Sequence, residues 1–583
     1  MRAIYIKAGL GFLALATVVG FWFIAATGWA VTLLQDEVRS CLDRDLKVAG
    51  GAHLEFLPEL VMRLDNVRLS GAPGMEDDFL KAASFRVPIT FAGIFSHQLD
   101  LTRITLRDAE IALVIDEMGR TSWPEVQSSA PTPVTLFLDH AAIRFFDQRS
   151  GQAFAFRDAR MAVELSALGE MTLEGAATIN AQHANFQAYV KDVARISARG
   201  SPAGFSLEAP ALLASFNGRL GTGQGLGLAG TVNLSGPDLR QALRWAGGAP
   251  GGTMGLKDFS LSGGLDAKAR AFGVHQALLN VDGISGSGDL TLDFRGEVPK
   301  FQAVIATDTI DLDTYIKPGT AKLGFSALRG IDGAARITAK GLNYSGLKFG
   351  PAKIAATLDH GRLDAQIFFN SASQAQITLD GASSVDGFTL AFNSNNADAG
   401  RLLEPFTGIG WLEGKGTIHA TLSGNGKTRE EMISTLKGEA RIALTDGALK
   451  GLDVGQTLSA TAREIQNGWP ARAEAKTPFT SLEVSFTIAD GIAAIKTLKL
   501  ASPALAVSGS GETDFLRRAL DLRVDPRLVT AKTGETAGLP VAIVVQGPWG
   551  SPRIYPDMPG ILANPKAAYE ALTARGLPQL PAN

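Results

Sequence analysis

From Arg86 to Trp123 the chain reads RVPITFAGIFSHQLDLTRITLRDAEIALVIDEMGRTSW, and its apolar residues recur at every second position. Val87, Ile89 and Phe91 form one such set, Leu99 and Leu101 another, Ile104 and Leu106 a third. A period of two places each set on one face of a β-strand. The last run, IALVI, is apolar on both faces: Ile111, Leu113 and Ile115 on one, Ala112 and Val114 on the other. VAIVV (541–545) repeats the pattern, with Val541, Ile543 and Val545 sharing a face. No helical pattern stands beside IALVI to cover its second face, so such strands are candidates for the wall of an open trough.

The bulk numbers narrow the class. At 583 residues the chain is too long for one ordinary core. With 45% hydrophobic residues it is not disordered, and 65 glycines suit many short strands and turns. A net charge of −3 excludes the basic field that nucleic acid requires. The single cysteine, Cys41, excludes an intrachain disulfide without deciding the compartment. A lipid-anchored Cys41 is disfavoured, because Arg39 interrupts the small or apolar residues before it.

Between Ala8 and Gln35 there is no charged residue. As a helix this segment is roughly 42 Å long, ample for a hydrocarbon core of about 30 Å. Arg2 and Lys7 precede it and Asp36 and Glu37 follow, so the positive-inside rule keeps the N-terminus cytoplasmic and exports the rest. Trp22 and Trp29 are candidate interface anchors. The competing reading is a cleaved signal peptide ending at Gly28-Trp29-Ala30; the length of the apolar run favours a retained single span.

The expected organisation is a cytoplasmic N-terminus (1–7), a transmembrane helix (8–35), an N-terminal β region (36–127) opening on a short helix, and a linker or edge turn (128–134). Irregular β-repeats with short helices follow (135–408), then a C-terminal β region (409–557) and a tail (558–583) with a short helix at 564–577. Within the repeats, strands at 228–248, 301–319 and 388–408 end in a polar cluster and a short helix, with Asp238, Asp311 and Asp398 at the helix starts. A carboxylate there caps free N–H groups and opposes the positive helix end.

Catalytic chemistry finds little footing. His53, His97, His140, His183, His275, His360 and His419 are dispersed singly, so no metal site is expected. Gly426-Lys427-Thr428 lacks the earlier glycine of a phosphate-binding loop, having Thr421 there, and reads as a tight turn before the helix REEMISTL. GTGQGLG (221–227) has Leu226 at the sixth position of the dinucleotide frame and reads as a hairpin turn. There is no GxSxG elbow. No catalytic residue and no cofactor are expected.

Nearly end to end, the chain resembles the AsmA family of bacterial inner-membrane-anchored proteins. The likeness rests on the anchor, on LPELVMRLDNVRLSGAPG and the Arg86–Trp123 stretch, and on NGKTREEMISTLKGEARIALTDGALKGLDV (425–454) with the strands up to residue 557. Ala109 stands where the family favours proline, and Ser122 where it favours asparagine. The resemblance implies a mainly β fold: a long curved antiparallel sheet forming an elongated periplasmic groove with short helices, behind one N-terminal transmembrane helix. It also implies a role in outer-membrane biogenesis, with phospholipid bound or conducted along the groove. Ile111, Leu113, Ile115, Val541, Ile543 and Val545 are the candidate lining. The alternatives are a scaffold that contacts envelope protein partners and aids outer-membrane protein targeting without handling lipid, and an enzyme acting on envelope lipids.

Overall fold

The structure, a computed structural model, describes most of residues 28–563; the longer stretches outside it are 124–132, 222–226, 247–253, 316–324, 452–473 and 530–535. The chain divides into two units. One comprises Met1–Gly248, Leu256–Gly283 and Asp289–Glu297, the other Ala249–Gly255, Ile284–Gly288 and Val298–Asn583. Both are built of strands paired mostly with their neighbours in sequence.

In the first unit β1 (Leu46–Val48) and β2 (Ala52–Glu55) both pair antiparallel with β3 (Val61–Ser70). β4 (Asp78–Pro88) joins β3, and β5 (Arg103–Ile115) joins β4, again antiparallel. β6 (Val134–Asp147) then lies parallel to β5. This corrects the all-antiparallel expectation, and Val134, placed in a linker by the sequence, opens β6. A parallel pair needs a crossover of a dozen or more residues, and the chain between Ile115 and Val134 supplies it. Antiparallel order resumes through β7 (Gln152–Leu165), β8 (Met171–Ile179), β9 (Gln182–Val190) and β10 (Ser201–Ala209). It continues through β11 (Leu212–Gly221), β12 (Gly227–Gly236), β13 (Phe259–Lys268) and β14 (Ala271–Val281).

The second unit repeats the device. Lys300–Asp311 runs parallel to Asp332–Tyr344 across another long connection, and antiparallel pairing follows through Ala352–Asp359 to Ile543–Pro548 and Arg553–Pro556. Two-residue turns such as His360-Gly361 and Asp490-Gly491 have positive φ at both positions, the backbone twist that suits tight hairpins. Within this unit the sheet coils on itself. The indole of Trp411, just before strand Leu412–Asn425, donates to the Trp549 carbonyl at 3.1 Å, although six strand pairings separate them. Trp549 is buried, donates to Thr513 Oγ1 at 2.7 Å and meets Phe515 edge to face.

A helix over residues 31–40 packs against the first strands. Val31, Leu34, Val38 and Leu42 share one face and join a core with Leu64, Val67, Leu80, Val87 and Leu106; Leu34 is 2% exposed. The helix therefore begins before Asp36, and the end of the uncharged segment belongs to a docked helix. Trp29, read as an interface anchor, packs instead beside Met62 and Ile89. Among the described residues no helix is long and apolar enough to cross a membrane; 8–27, where most of the span is expected, lies outside them. Cys41, linker residues 128–132 and the tail helix at 564–577 also lie outside. Leu99 and Leu101 form no strand: the Asp100 carboxylate accepts from the Thr102 amide and hydroxyl, turning the chain into β5.

The strand-then-helix repeats hold locally. Asp238 caps helix Leu239–Trp245 by accepting from the Gln241 amide, and Asp398 accepts from the Arg401 amide at the start of helix Ala399–Thr407. Asp311 caps only a single 3₁₀ turn, Leu312–Thr314. Helix Leu239–Trp245 lies at one end of β8–β12. Its Trp245 indole donates to the Ile179 carbonyl at the end of β8, and Asn180 returns a bond to the Trp245 carbonyl.

Candidate functional site

The strand registers build rows of side chains that cross the sheet on one face. In the first unit one row runs Met161, Gly175, Phe186, Leu207, Ala214, Leu234, Leu261 and Leu279, one residue from each of β7–β14. The row beside it runs Val163, Leu173, Ala188, Phe205, Phe216 and Val232. Neither contains a polar side chain. The other face is the reverse: Glu174, Gln187, Ser206, Ser215, Asn233 and Ser262 are likewise in register. At about 4.8 Å per strand the first row is about 34 Å long.

Burial along the rows is uneven. In the first, Met161 and Phe186 are each 7% exposed, but Leu207, Ala214, Leu234, Leu261 and Leu279 are only half-buried; in the second, Phe216 and Val232 are buried while Phe205 is 41% exposed. An apolar face packed on a second layer would be closed throughout; this one is partly open to water. The second unit carries the same feature: Ile305, Ile337, Ile354, Ile367, Ala375, Phe392, Ala420, Ala440 and Phe486 are in register over nine strands, most of them half-buried. A small pocket of about 170 Å³ where Phe392 of this row meets helix Ala399–Thr407 has a mixed lining, apolar at Leu347, Phe349 and Leu402 and polar at Lys348, Ser373, Ser394, Asp398 and Arg401. A shallow concavity of about 690 Å³ in the first unit lies mainly over the polar face, beside Glu174, Asn185, Gln187 and Asn233.

Five of the six sequence candidates lie in described strands. Ile111 faces Leu80 and Ile143 at the margin of the core, Leu113 faces Phe145, and Ile115 faces Asp147. All five residues of IALVI are half-buried, so among the described residues its second face is incompletely covered: Val114 lies beside Phe146, which is 43% exposed. What is covered is the strand's edge. β4 pairs with β5 only as far as Ile111, and beyond it Ser122 takes over, accepting from the Val114 amide and donating to the Ala112 carbonyl at 2.6 Å. Ile543 is 6% exposed and faces Val524 and Pro556, while Val545 faces Leu522 and Ile554. Val541 lies outside the described residues.

One feature of the face escaped the sequence reading. Asn66, Asp108, His140 and Asp158 have φ between 48° and 57° in the middle of β3, β5, β6 and β7. Each is followed by a fully or nearly fully buried small residue: Val67, Ala109, Ala141 and Ala159, all at 0–1% exposure. The left-handed residue shifts the alternation by one, so Leu64 and Val67, or Leu106 and Ala109, point to the same side. Such irregularities bend strands and increase their twist. Their signal was present as LDNV, LRDA, LDHA and FRDA, in which a short polar residue that tolerates the left-handed region precedes a small apolar one.

Two of the groups weighed for chemistry hold local structure. Asp332, Asp359 and His360, which the sequence left apart, bring one potential ligand atom each within 4.8 Å of the others. Asp332 accepts the His360 amide and Asp359 bonds its ring, which is how they shape the hairpin turn. In GKT, Thr428 caps helix Arg429–Ser434 by accepting the Glu431 amide, and the Glu431 carboxylate accepts the Lys427 amide. Gly221 pairs with Gly227, so GTGQGLG joins β11 and β12 as a hairpin.

The AsmA family sequence model matches residues 2–135 and 326–498, just over half of the chain. The chain belongs to the AsmA family. Protein AsmA of Escherichia coli (strain K12) is 23% identical over 238 residues, which cover 39% of this chain and 38% of the relative, well short of two thirds of its length. No solved structure gives a significant match. The AsmA match includes the docked helix and β1–β5 but not residues 136–325, which hold the longest apolar rows of the first unit.

Proposed function

We propose that this protein is a non-enzymatic, inner-membrane-anchored periplasmic protein of outer-membrane biogenesis, and that it binds or conducts phospholipid by laying acyl chains along its apolar sheet face. The observation that carries the reading is the row from Met161 to Leu279, wholly apolar yet half-open from Leu207 onward, with the shorter apolar row from Val163 to Val232 beside it. A face without side-chain donors, acceptors or charges selects apolar partners, and a hydrocarbon chain is the simplest of these. Each buried methylene contributes about 0.8 kcal/mol, so an acyl chain is held without any specialised residue. The row of about 34 Å exceeds the roughly 15 Å that one leaflet's chains occupy in a hydrocarbon core of about 30 Å. Membership of the AsmA family supports an envelope setting, and the uncharged segment from Ala8 supports the anchor.

The test is direct. A photo-crosslinking residue is placed at Leu207, Leu234 or Leu261 and, for contrast, at Ser206, Asn233 or Ser262 on the polar face. Lipid adducts are expected only from the first set, together with co-purifying phospholipid in native mass spectrometry. Adducts from neither set, in folded protein, would overturn the lipid reading; stable co-purification of envelope proteins with a lipid-free face would favour the scaffold.

A further inference from the structure

We infer that the second unit holds its lipid in one orientation, with a phosphodiester headgroup seated beside helix Ala399–Thr407 and the hydrocarbon lying along the apolar row. The inference rests on the lipid reading above and gives that face a polar end. Register supplies the first observation. Ile354, Ile367, Ala375 and Phe392 stand side by side in the row; two residues further along the same strands, and so on the same face, stand Ala352, Phe369, Ser373 and Ser394. Ser394 is 1% exposed, and its hydroxyl lies 2.7 Å from that of Ser373. Such a pair holds two protons and uses one between them, which leaves the other to donate to a ligand.

Both serines line the pocket of about 170 Å³, roughly the volume of six waters, which admits a phosphate group but not a pair of acyl chains. Lys348 and Arg401 line it too. Neither side chain has an ion-pair or hydrogen-bond partner among the described residues, so each can meet an anion with a charge-assisted bond. Asp398 adds one carboxylate, which already accepts the Arg401 amide at 3.2 Å. Two cations against one carboxylate leave a single positive charge in excess. That balance fits the lone negative charge of a phosphodiester better than the nearly doubled charge of a phosphate monoester. The apolar part of the lining decides between a lipid and free phosphate. It is made by Leu347, Phe349, Phe392 and Leu402, and the Phe349 ring packs on Phe369 with centroids 4.9 Å apart. Inorganic phosphate would leave these side chains in water, whereas an amphiphile covers them with its first methylenes.

The full chain, purified in mild detergent, is exposed to photoactivatable probes. These are phosphatidylglycerol with a diazirine in its headgroup, the same lipid with the diazirine at a tail end, and a diacylglycerol analogue with the head diazirine but no phosphate. Adducts are mapped by peptide mass spectrometry. Head adducts of the phospholipid are expected in residues 347–349 and 397–402, tail adducts on the strands bearing Ile354 and Ile367, and few head adducts from the diacylglycerol. Lys348→Gln combined with Arg401→Gln is expected to lower the head adducts about fivefold and to leave tail adducts in the first unit unchanged. Lys348→Arg with Arg401→Lys keeps both charges and should retain the adducts, so a folding defect is told apart from a lost charge. Head adducts indifferent to charge removal, or equally frequent without a phosphate, would overturn the inference. Their abolition by millimolar inorganic phosphate would assign the pocket to the free anion and overturn it as well. Adducts from no probe in either unit, in protein with the parent circular dichroism, would instead overturn the lipid reading itself.

Discussion

Single residues set the geometry of the apolar face through backbone strain and edge satisfaction. Asp108 holds φ at 49° in mid-strand, where a β-branched side chain is costly. Asp108→Val is expected to destabilise the first unit by about 1–2 kcal/mol, whereas Asp108→Gly stays within about 0.5 kcal/mol of the parent; urea denaturation compares them. Ser122, 1% exposed, satisfies the edge of β5 past the point where β4 stops. Ser122→Ala removes both hydroxyl bonds and is expected to cost about 1–3 kcal/mol by the same measurement, because the Val114 amide then lacks a side-chain partner. At this scale the sequence was only partly legible. Period two put Ile104 and Leu106 on one face, and Leu106 is indeed buried, but a strict alternation run through Asn66 or Asp108 assigns the wrong face to everything after it. The irregularity is read only by noticing that a polar residue tolerant of the left-handed region precedes a small buried one in β3, β5, β6 and β7 alike.

Strands and short helices show which elements a local pattern can specify and which it cannot. The acidic starts at Asp238, Asp311 and Asp398 were legible because N-capping is local chemistry. The parallel pairing of β5 with β6 was not, because it depends on where a long connection returns rather than on either strand's residues. The docked helix was misplaced for a related reason: Val31 and Leu34 are as apolar as the preceding segment, and only the sheet beneath them distinguishes core from membrane. Helix Leu239–Trp245 yields a pH prediction. Asp238 is held below its usual carboxylate range, first by the Gln241 amide and then by the Lys257 ammonium. A lowered folded-state pKa means that its support is complete above the unfolded value of about 3.9 and is lost as pH falls through the folded value. Trp245 fluorescence should therefore report loosening of this helix from the Ile179–Asn180 turn below about pH 4. Asp238→Asn, which cannot titrate, should flatten that change.

For each unit taken whole, the alternation of side chains makes the lipid reading sharper than a demand for hydrophobicity. A face built by register changes character with every step of one residue: Leu261 lies in the apolar row and Ser262 in the polar one, though they are adjacent in β13. On the lipid reading a charge at Leu261 would meet hydrocarbon cargo, whereas a charge at Ser262 would stay in water. Because Leu261 is already half-exposed, Leu261→Glu need not bury its carboxylate in a closed core, and the unit should remain folded. Lipid co-purification is therefore expected to fall several-fold in Leu261→Glu and in Ile354→Glu, its counterpart in the second unit, and to stay near the parent level in Ser262→Glu and Lys353→Glu. Quantitative lipid extraction, normalised to folded protein by circular dichroism, provides the readout. A loss that ignored this alternation would mean that net charge or stability, rather than a hydrocarbon face, governs lipid content. A loss confined to one unit would locate the bound chains on that unit's rows alone.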